Sequence, residues 1–121
     1  MIYYRITISN IKRYIEIPKS ILTKIAKNYS YGSEIIEDVN IAIEEVCSLI
    51  RNNVDKDKHY FFDIFLLILS KSILITIKTN AELIPSNNLE FHKDMLEKLM
   101  DLFIWIKGKN KIKVFMIKDK K

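Results

Sequence analysis

Glycine, proline and cysteine are scarce in this sequence of 121 residues, which contains two glycines, two prolines and one cysteine. The two glycines, Gly32 and Gly108, do not belong to a glycine-rich run. Loops that cradle phosphates need glycine where the backbone approaches the ligand closely. We therefore expect no standard nucleotide-binding loop.

The single cysteine, Cys47, cannot form an intrachain disulfide, and one thiol cannot build a cysteine zinc site. A reducing compartment is the simplest interpretation. Long apolar runs are also missing: the longest, residues 61–69, includes Asp63 and falls short of the roughly 20 residues that a bilayer span needs. No signal peptide is visible over residues 1–10. We expect a cytoplasmic protein that makes no use of a membrane.

What is present suits one globular domain over residues 1–121. Apolar residues make up 49% of the chain and charged residues 29%, a balance that excludes a disordered chain. The net charge is +5, and lysines cluster near the C-terminus at Lys107, Lys109, Lys111, Lys113, Lys118, Lys120 and Lys121. They form either a basic patch for nucleic acid or an acidic partner, or a solvated strand edge and tail. The second interpretation is favoured because lysine is frequent along the whole chain.

Hydrophobic periodicity predicts both strands and helices. Apolar and polar residues alternate over Ile2–Ser9, which is typical of a half-buried strand, and residues 12–17 could pair back on it. Three- and four-residue apolar steps predict a long helix with Ser33 as its N-cap, ending near Asn53. Shorter helices are predicted from Pro18 to about residue 28 and over 89–102. Further strands are predicted at 60–69, 73–77, 103–106 and 112–117.

The resulting order is strand, helix, helix, strand, strand, helix, strand, strand. A mostly antiparallel sheet with about three helices on one face is the natural packing for that order. The predicted fold class is therefore α+β, a two-layer α/β sandwich.

Two local sequences give this order a family resemblance. The stretch IEDVNIAIEEVCSL, residues 36–49, resembles a helix of the pattern (I/L)xDIxxAVxEAxxN, and MLEKLMD, residues 95–101, resembles a helix ending in LMD before two final strands. The last strand, VFMIK, matches a (T/V)xVxMxK ending. In this order the elements resemble the anti-sigma factor serine kinases of the histidine-kinase-like ATPase superfamily over nearly the whole chain. The resemblance implies that fold.

The resemblance also identifies where a nucleotide site would lie, and the sequence departs from it there. Glu45 falls at the position of the family's base, but Leu49 replaces the asparagine that holds magnesium, and a hard cation needs oxygen ligands. Thr79 replaces the aspartate that recognises adenine, and Ala81 and Leu83 stand where that motif has glycines. The glycine lid before the last helix is also absent. We expect neither ATP nor magnesium to bind, and Glu45 to be at most a relic of a catalytic residue.

Other residues that could carry chemistry have plainer explanations. Glu44 and Glu45 point about 100° apart on a helix and do not converge on one proton. His59 and His92 lack neighbours at metal-ligand spacing and suit a surface. Cys47 lies among the core-facing residues of its helix, where a thiol acts as a small hydrophobe.

Three aromatic residues near the C-terminus also allow two interpretations. Phe103, Trp105 and Phe115 alternate with lysines and could form an exposed platform for stacking bases, or they could belong to the core or edge of the sheet. The core or edge interpretation is favoured.

The resemblance leads to three functional hypotheses. The first is a regulatory module that binds a protein, such as a sigma factor or an antagonist of an anti-sigma factor, without phosphotransfer; it could also form a homodimer, as active relatives do. The second is an ATP-dependent serine/threonine kinase with an atypical site that uses Glu45 with ATP and magnesium. The third, and least favoured, is a basic nucleic-acid-binding protein.

Overall fold

The structure is a computed structural model that describes residues 1–55, 57–82, 84, 89–108 and 111–120, with the backbone alone at 89–92. Over the described residues, the chain forms five strands and three α-helices. They follow one another as β1 (Ile2–Ser9), α1 (Glu16–Asn28), α2 (Ser33–Asn52), β2 (Phe61–Ile68), β3 (Ser72–Thr79), α3 (Leu89–Leu99), β4 (Leu102–Gly108) and β5 (Lys111–Asp119).

The strands form one antiparallel sheet in the order β1-β2-β3-β5-β4. Because successive side chains of a strand point to opposite faces, each strand gives one face of the sheet to the helices and leaves the other open. β2 and β3 show this clearly, since buried residues alternate along both with partly exposed ones. The inner face of the three central strands, β2, β3 and β5, consists of isoleucine, leucine, valine and methionine, with Phe62, Thr79 and Lys118 as the exceptions.

The helices cover that inner face as a second layer. α2 forms because its apolar residues recur at helical spacing, and eight of them are buried: Ile36, Val39, Ala42, Ile43, Val46, Cys47, Leu49 and Ile50. α1 and α3 pack on either side of α2. The core therefore lies between α2 and the centre of the sheet, and the predicted two-layer α+β sandwich with three helices is confirmed.

Two local predictions are wrong. Residues 12–17 do not form a strand: Lys12–Ile15 is a 3-10 helix that leads directly into α1. The turn buries Ile15, and Pro18 follows in the first helical turn, where no intrahelical N–H is needed. The N-cap of α2 is Gly32 in an extended conformation, and Ser33 is the first helical residue.

A charged side chain, that of Lys118, lies within the inner layer. Lys118 of β5 is only 7% exposed, and its Nζ is 3.2 Å from Oδ2 of Asp38 on α2. The same Nζ donates a hydrogen bond to the carbonyl oxygen of Leu99, at the end of α3. Among the described residues, none of the helices is long and apolar enough to cross a bilayer.

Candidate functional site

The two positions that the resemblance assigns to metal and base lie on α2. Leu49 is 1% exposed, and its backbone carbonyl accepts a hydrogen bond from Nδ2 of Asn53 at 2.8 Å. Glu45, one turn earlier, is partly exposed. A buried aliphatic side chain at position 49 offers no ligand to a cation, because magnesium takes oxygen atoms.

The positions assigned to adenine recognition follow β3. Thr79 is 6% exposed, and its Oγ1 accepts a hydrogen bond from the N–H of Ala81 at 3.2 Å, so the chain occupies this acceptor itself. Ala81 is buried in the core cluster. Slightly further on, the N–H of Ile84 donates to the carbonyl oxygen of Asn53, which ties this segment to the end of α2. Leu83 lies outside the described residues.

The remaining candidates for chemistry do not assemble into a site. Cys47 is fully buried, and this burial raises its pKa to about 12. His59 is exposed and packs edge-on against the ring of Phe61, while the side chain of His92 lies outside the described part of the chain. Over the described residues, no group of three or more His, Cys, Asp or Glu side chains could hold a metal ion.

The C-terminal aromatic residues do not form one platform. Phe103 and Trp105 pack against the core on the helix side, whereas Phe115 lies on the open side, opposite Ile104. The platform hypothesis is wrong because alternation along β4 and β5, combined with their register, separates the rings to two faces.

The C-terminal lysines are dispersed as well. Lys118 is buried under the helices, and Lys120 donates a hydrogen bond to the carbonyl oxygen of Tyr29. Lys111 and Lys113 project from the open side, while Lys109 and Lys121 lie outside the described residues. A single basic patch built from all of these lysines is therefore not formed by the residues described.

The open face of the sheet carries side chains in an ordered arrangement. Cross-strand register aligns its side chains in rows that run across all five strands. Two neighbouring rows are mostly apolar, and we call their uncharged members the apolar band: Tyr3, Leu67, Leu74, Ile117 and Leu102 in one row, and Phe65, Thr76, Phe115 and Ile104 in the other. Arg5 completes the second row on β1. Each of these side chains is partly or fully exposed.

The next row is charged. Lys78 and Lys113 are directly opposite each other on β3 and β5, and we call this pair the basic row; the same register places Asp63 of β2 opposite Lys78 and Ile106 of β4 opposite Lys113. Neither ammonium group has an ion-pair partner among the described residues. Like charges placed directly opposite destabilise a sheet, and here the carboxylate of Asp63 is opposite Lys78 on the other neighbouring strand.

A shallow depression of about 540 Å³ continues from the basic row towards β1, with Phe61, Thr79 and Lys111 in its lining. Within it, Oδ1 of Asp63 accepts a hydrogen bond from Thr7, and its Oδ2 lies 3.4 Å from the Arg5 guanidinium. Asp63 is therefore already engaged with the chain's own groups.

Cations also surround one ring of the apolar band. The Arg5 guanidinium lies 5.4 Å, and Lys78 Nζ 5.1 Å, from the centroid of Phe65. Two cation–π contacts therefore converge on this ring at the edge of the band.

The alternation of apolar and polar residues in the sequence predicts only part of this surface. It placed alternate residues on opposite faces, but the rows depend on which residue pairs with which across strands, and only the structure provides that register. No protein-family model matches the chain, and no curated protein matches it.

Proposed function

We propose that this chain is a non-catalytic regulatory module that binds another protein through the open face of its sheet. The apolar band is the observation that carries this proposal. Solvent-exposed apolar side chains that form one contiguous patch are typical of surfaces that bind partners. The resemblance to anti-sigma factors suggests a sigma factor or an antagonist protein as partner, in the cytoplasm, and it also allows a homodimer.

The proposal also holds that this chain does not transfer phosphate from ATP. Leu49 is buried and supplies no oxygen, and the hydroxyl of Thr79 already accepts a backbone hydrogen bond. Both facts support a histidine-kinase-like architecture that has lost ATP and magnesium binding. The competing hypothesis, a serine/threonine kinase that uses Glu45, requires a nucleotide to bind near these side chains.

Nucleotide binding is tested by calorimetric titration of the full chain with ATP and magnesium, followed by thermal unfolding with and without the nucleotide. A ligand present at 100 times its Kd raises the free energy of unfolding by about 2.7 kcal/mol, so real binding would raise the Tm. We expect no heat of binding and no change in Tm. Micromolar affinity that depends on magnesium would establish the kinase hypothesis instead.

Protein binding is tested by photocrosslinking in the source cell. A crosslinking amino acid replaces Ile104, which lies in the apolar band and is 42% exposed. The matched variant carries the same group at Lys24, an exposed position of α1 on the opposite side of the molecule. We expect one discrete protein adduct from position 104 and none from position 24. Equal labelling from both positions, or adducts with nucleic acid, would contradict the proposal.

A further inference from the structure

The open face is electrically asymmetric about the apolar band. Lys78 and Lys113 lie along one long side of the band, and Lys111 lies one further row out on β5. Along the other long side is Asp119, whose Oδ1 accepts a hydrogen bond from Ser72. Asp101 is beside it and accepts the N–H of Asp119 at 2.7 Å. Asp63 lies in the same row as the two lysines, but its carboxylate is already engaged by Thr7 and Arg5. A ligand that lies on the band therefore meets the ammonium groups of β3 and β5 on one side and carboxylates on the other.

The dimensions of the band suit a single helix. Five strands spaced about 4.8 Å apart place the outer strands roughly 19 Å from each other. A helix rises 1.5 Å per residue, so about 13 residues cover that length. Neighbouring rows on one face are about 6.8 Å apart, which is close to the width of the apolar stripe of an amphipathic helix.

A second copy of this chain fits less well. The flat area of the band is on the order of 350 Å² from the same spacings, whereas a stable dimer buries about 800 Å² on each partner. Each copy also carries a net charge of +5, which opposes association of like molecules. An acidic partner removes that repulsion and neutralises the paired lysines.

We propose that the apolar band and the basic row bind an amphipathic acidic helix of another protein, with its apolar stripe on the band and its carboxylates over Lys78 and Lys113. This inference rests on the proposed protein-binding function and specifies the chemistry of the partner. The acidic side chains Asp101 and Asp119 then fix the orientation, because they repel the same helix when it is reversed.

The test uses designed helical peptides and the full chain. The probe has a leucine stripe flanked on one side by glutamates, and its matched control carries lysines in place of those glutamates. We expect the acidic probe to bind at least about tenfold more tightly than the lysine control, by fluorescence anisotropy at low salt. The affinity should fall as salt screens the charges. In methyl NMR spectra of the chain, shifts should concentrate at Leu74, Ile104 and Ile117, while the core residue Ile64 stays unchanged.

Two charge reversals locate the interaction. Lys78→Glu combined with Lys113→Glu should weaken the acidic probe at least about tenfold and strengthen the lysine control. Lys24→Glu combined with Lys27→Glu, two exposed positions of α1, changes the net charge by the same amount and should leave both affinities unchanged. Equal effects of the two sets of variants would overturn the proposal, because the response would then follow net charge alone.

Other occupants are separate outcomes that also overturn it. Concentration-dependent dimerisation that Ile104→Glu abolishes would assign the band to a second copy. Tighter binding to anionic vesicles than to the acidic probe, lost in the same variant, would assign it to a lipid surface. If the protein adduct from the crosslinker at position 104 persists when Lys78→Glu and Lys113→Glu are added, the protein-binding function stands and the acidic helix is wrong.

Discussion

Lys118 and Asp38 join the two layers of this protein through an ion pair, with Nζ and Oδ2 3.2 Å apart. Nζ also donates to the carbonyl oxygen of Leu99. One ammonium group therefore links the last strand to the second turn of α2 and to the C-terminal end of α3, where the negative end of the helix dipole favours a cation. A buried charge that is paired in this way becomes costly when its partner is removed.

Replacement of Lys118 by methionine should lower the free energy of unfolding by about 1–3 kcal/mol, because Asp38 and the Leu99 carbonyl lose their shared donor. Urea unfolding monitored by circular dichroism measures this change. Lys113→Met is the matched control: it removes the same charge from the same strand on the open face, where we expect less than about 0.5 kcal/mol. Equal losses in the two variants would mean that the buried ion pair contributes nothing specific.

The pair formed by Lys19 and Glu44 gives the stability a defined pH dependence. Lys19 Nζ lies 2.7 Å from Glu44 Oε2, and this hydrogen bond raises the pKa of Lys19 and lowers the pKa of Glu44. Because the pKa of Glu44 is lower in the folded state, the pair stabilises the fold at pH values above the pKa of an unfolded glutamate, which is about 4.3. This stability is lost as the pH falls through the folded-state pKa of Glu44. Because the pKa of Lys19 is higher in the folded state, the pair stabilises the fold at pH values below the ordinary lysine pKa. This stability is lost as the pH rises through the folded-state pKa of Lys19.

Glu44→Gln should therefore lower the free energy of unfolding by up to about 1 kcal/mol at pH 7. The effect is small because the Glu44 side chain is 44% exposed and water screens the pair. The cost should disappear at a pH below the folded pKa of Glu44. Urea unfolding of wild type and variant over a series of pH values from pH 7 downward measures the cost and the pH at which it disappears. Glu37→Gln, an exposed position two turns earlier on α2, should show no such pH-dependent difference.

Strand alternation and helix periodicity were sufficient to predict the element order of this chain. The alternation over Ile2–Ser9 and the three- and four-residue steps of α2 are strong local signals, and both elements are present where they were predicted. The strand prediction for residues 12–17 was wrong because the apolar residues of this segment fit either a strand or a tight helical turn. The helical turn is the one that buries Ile15.

The candidate surface was less predictable than the fold. Phe65, Thr76 and Phe115 are far apart in sequence and become neighbours only through the register of three strands. A shift of one residue in any strand would move its side chain to the helix face. The aromatic platform, the less favoured interpretation of Phe103, Trp105 and Phe115, is excluded for the same reason, because the pairing of β4 with β5 places Phe115 on the face opposite to the other two rings.

Substitution of Leu49 tests whether this position is part of the hydrophobic core or still borders a nucleotide pocket. Leu49 is 1% exposed and lies on the buried side of α2. Leu49→Asn would restore the amide that the family pattern places there, but it also removes an aliphatic side chain and buries a polar group, for which we expect a loss of about 2–5 kcal/mol. Leu49→Met, of similar volume, should cost less than about 1.5 kcal/mol. A well-tolerated asparagine that brings magnesium-dependent ATP binding would show that a nucleotide pocket persists around this residue.

Cys47 should be chemically inert in the folded protein. Burial raises its pKa to about 12, and the thiolate, which is the reactive form, is then roughly a thousandfold less populated at pH 8 than at an exposed cysteine. We expect no reaction with a disulfide reagent such as DTNB at pH 8 in native conditions, and one equivalent after unfolding in guanidinium. Ile41→Cys places a second thiol on the exposed side of the same helix, so the native variant should release one equivalent rapidly and the unfolded variant two. Rapid release from the native wild type would show that α2 opens on the timescale of the assay, because a fully buried thiol can react only when the helix leaves the sheet.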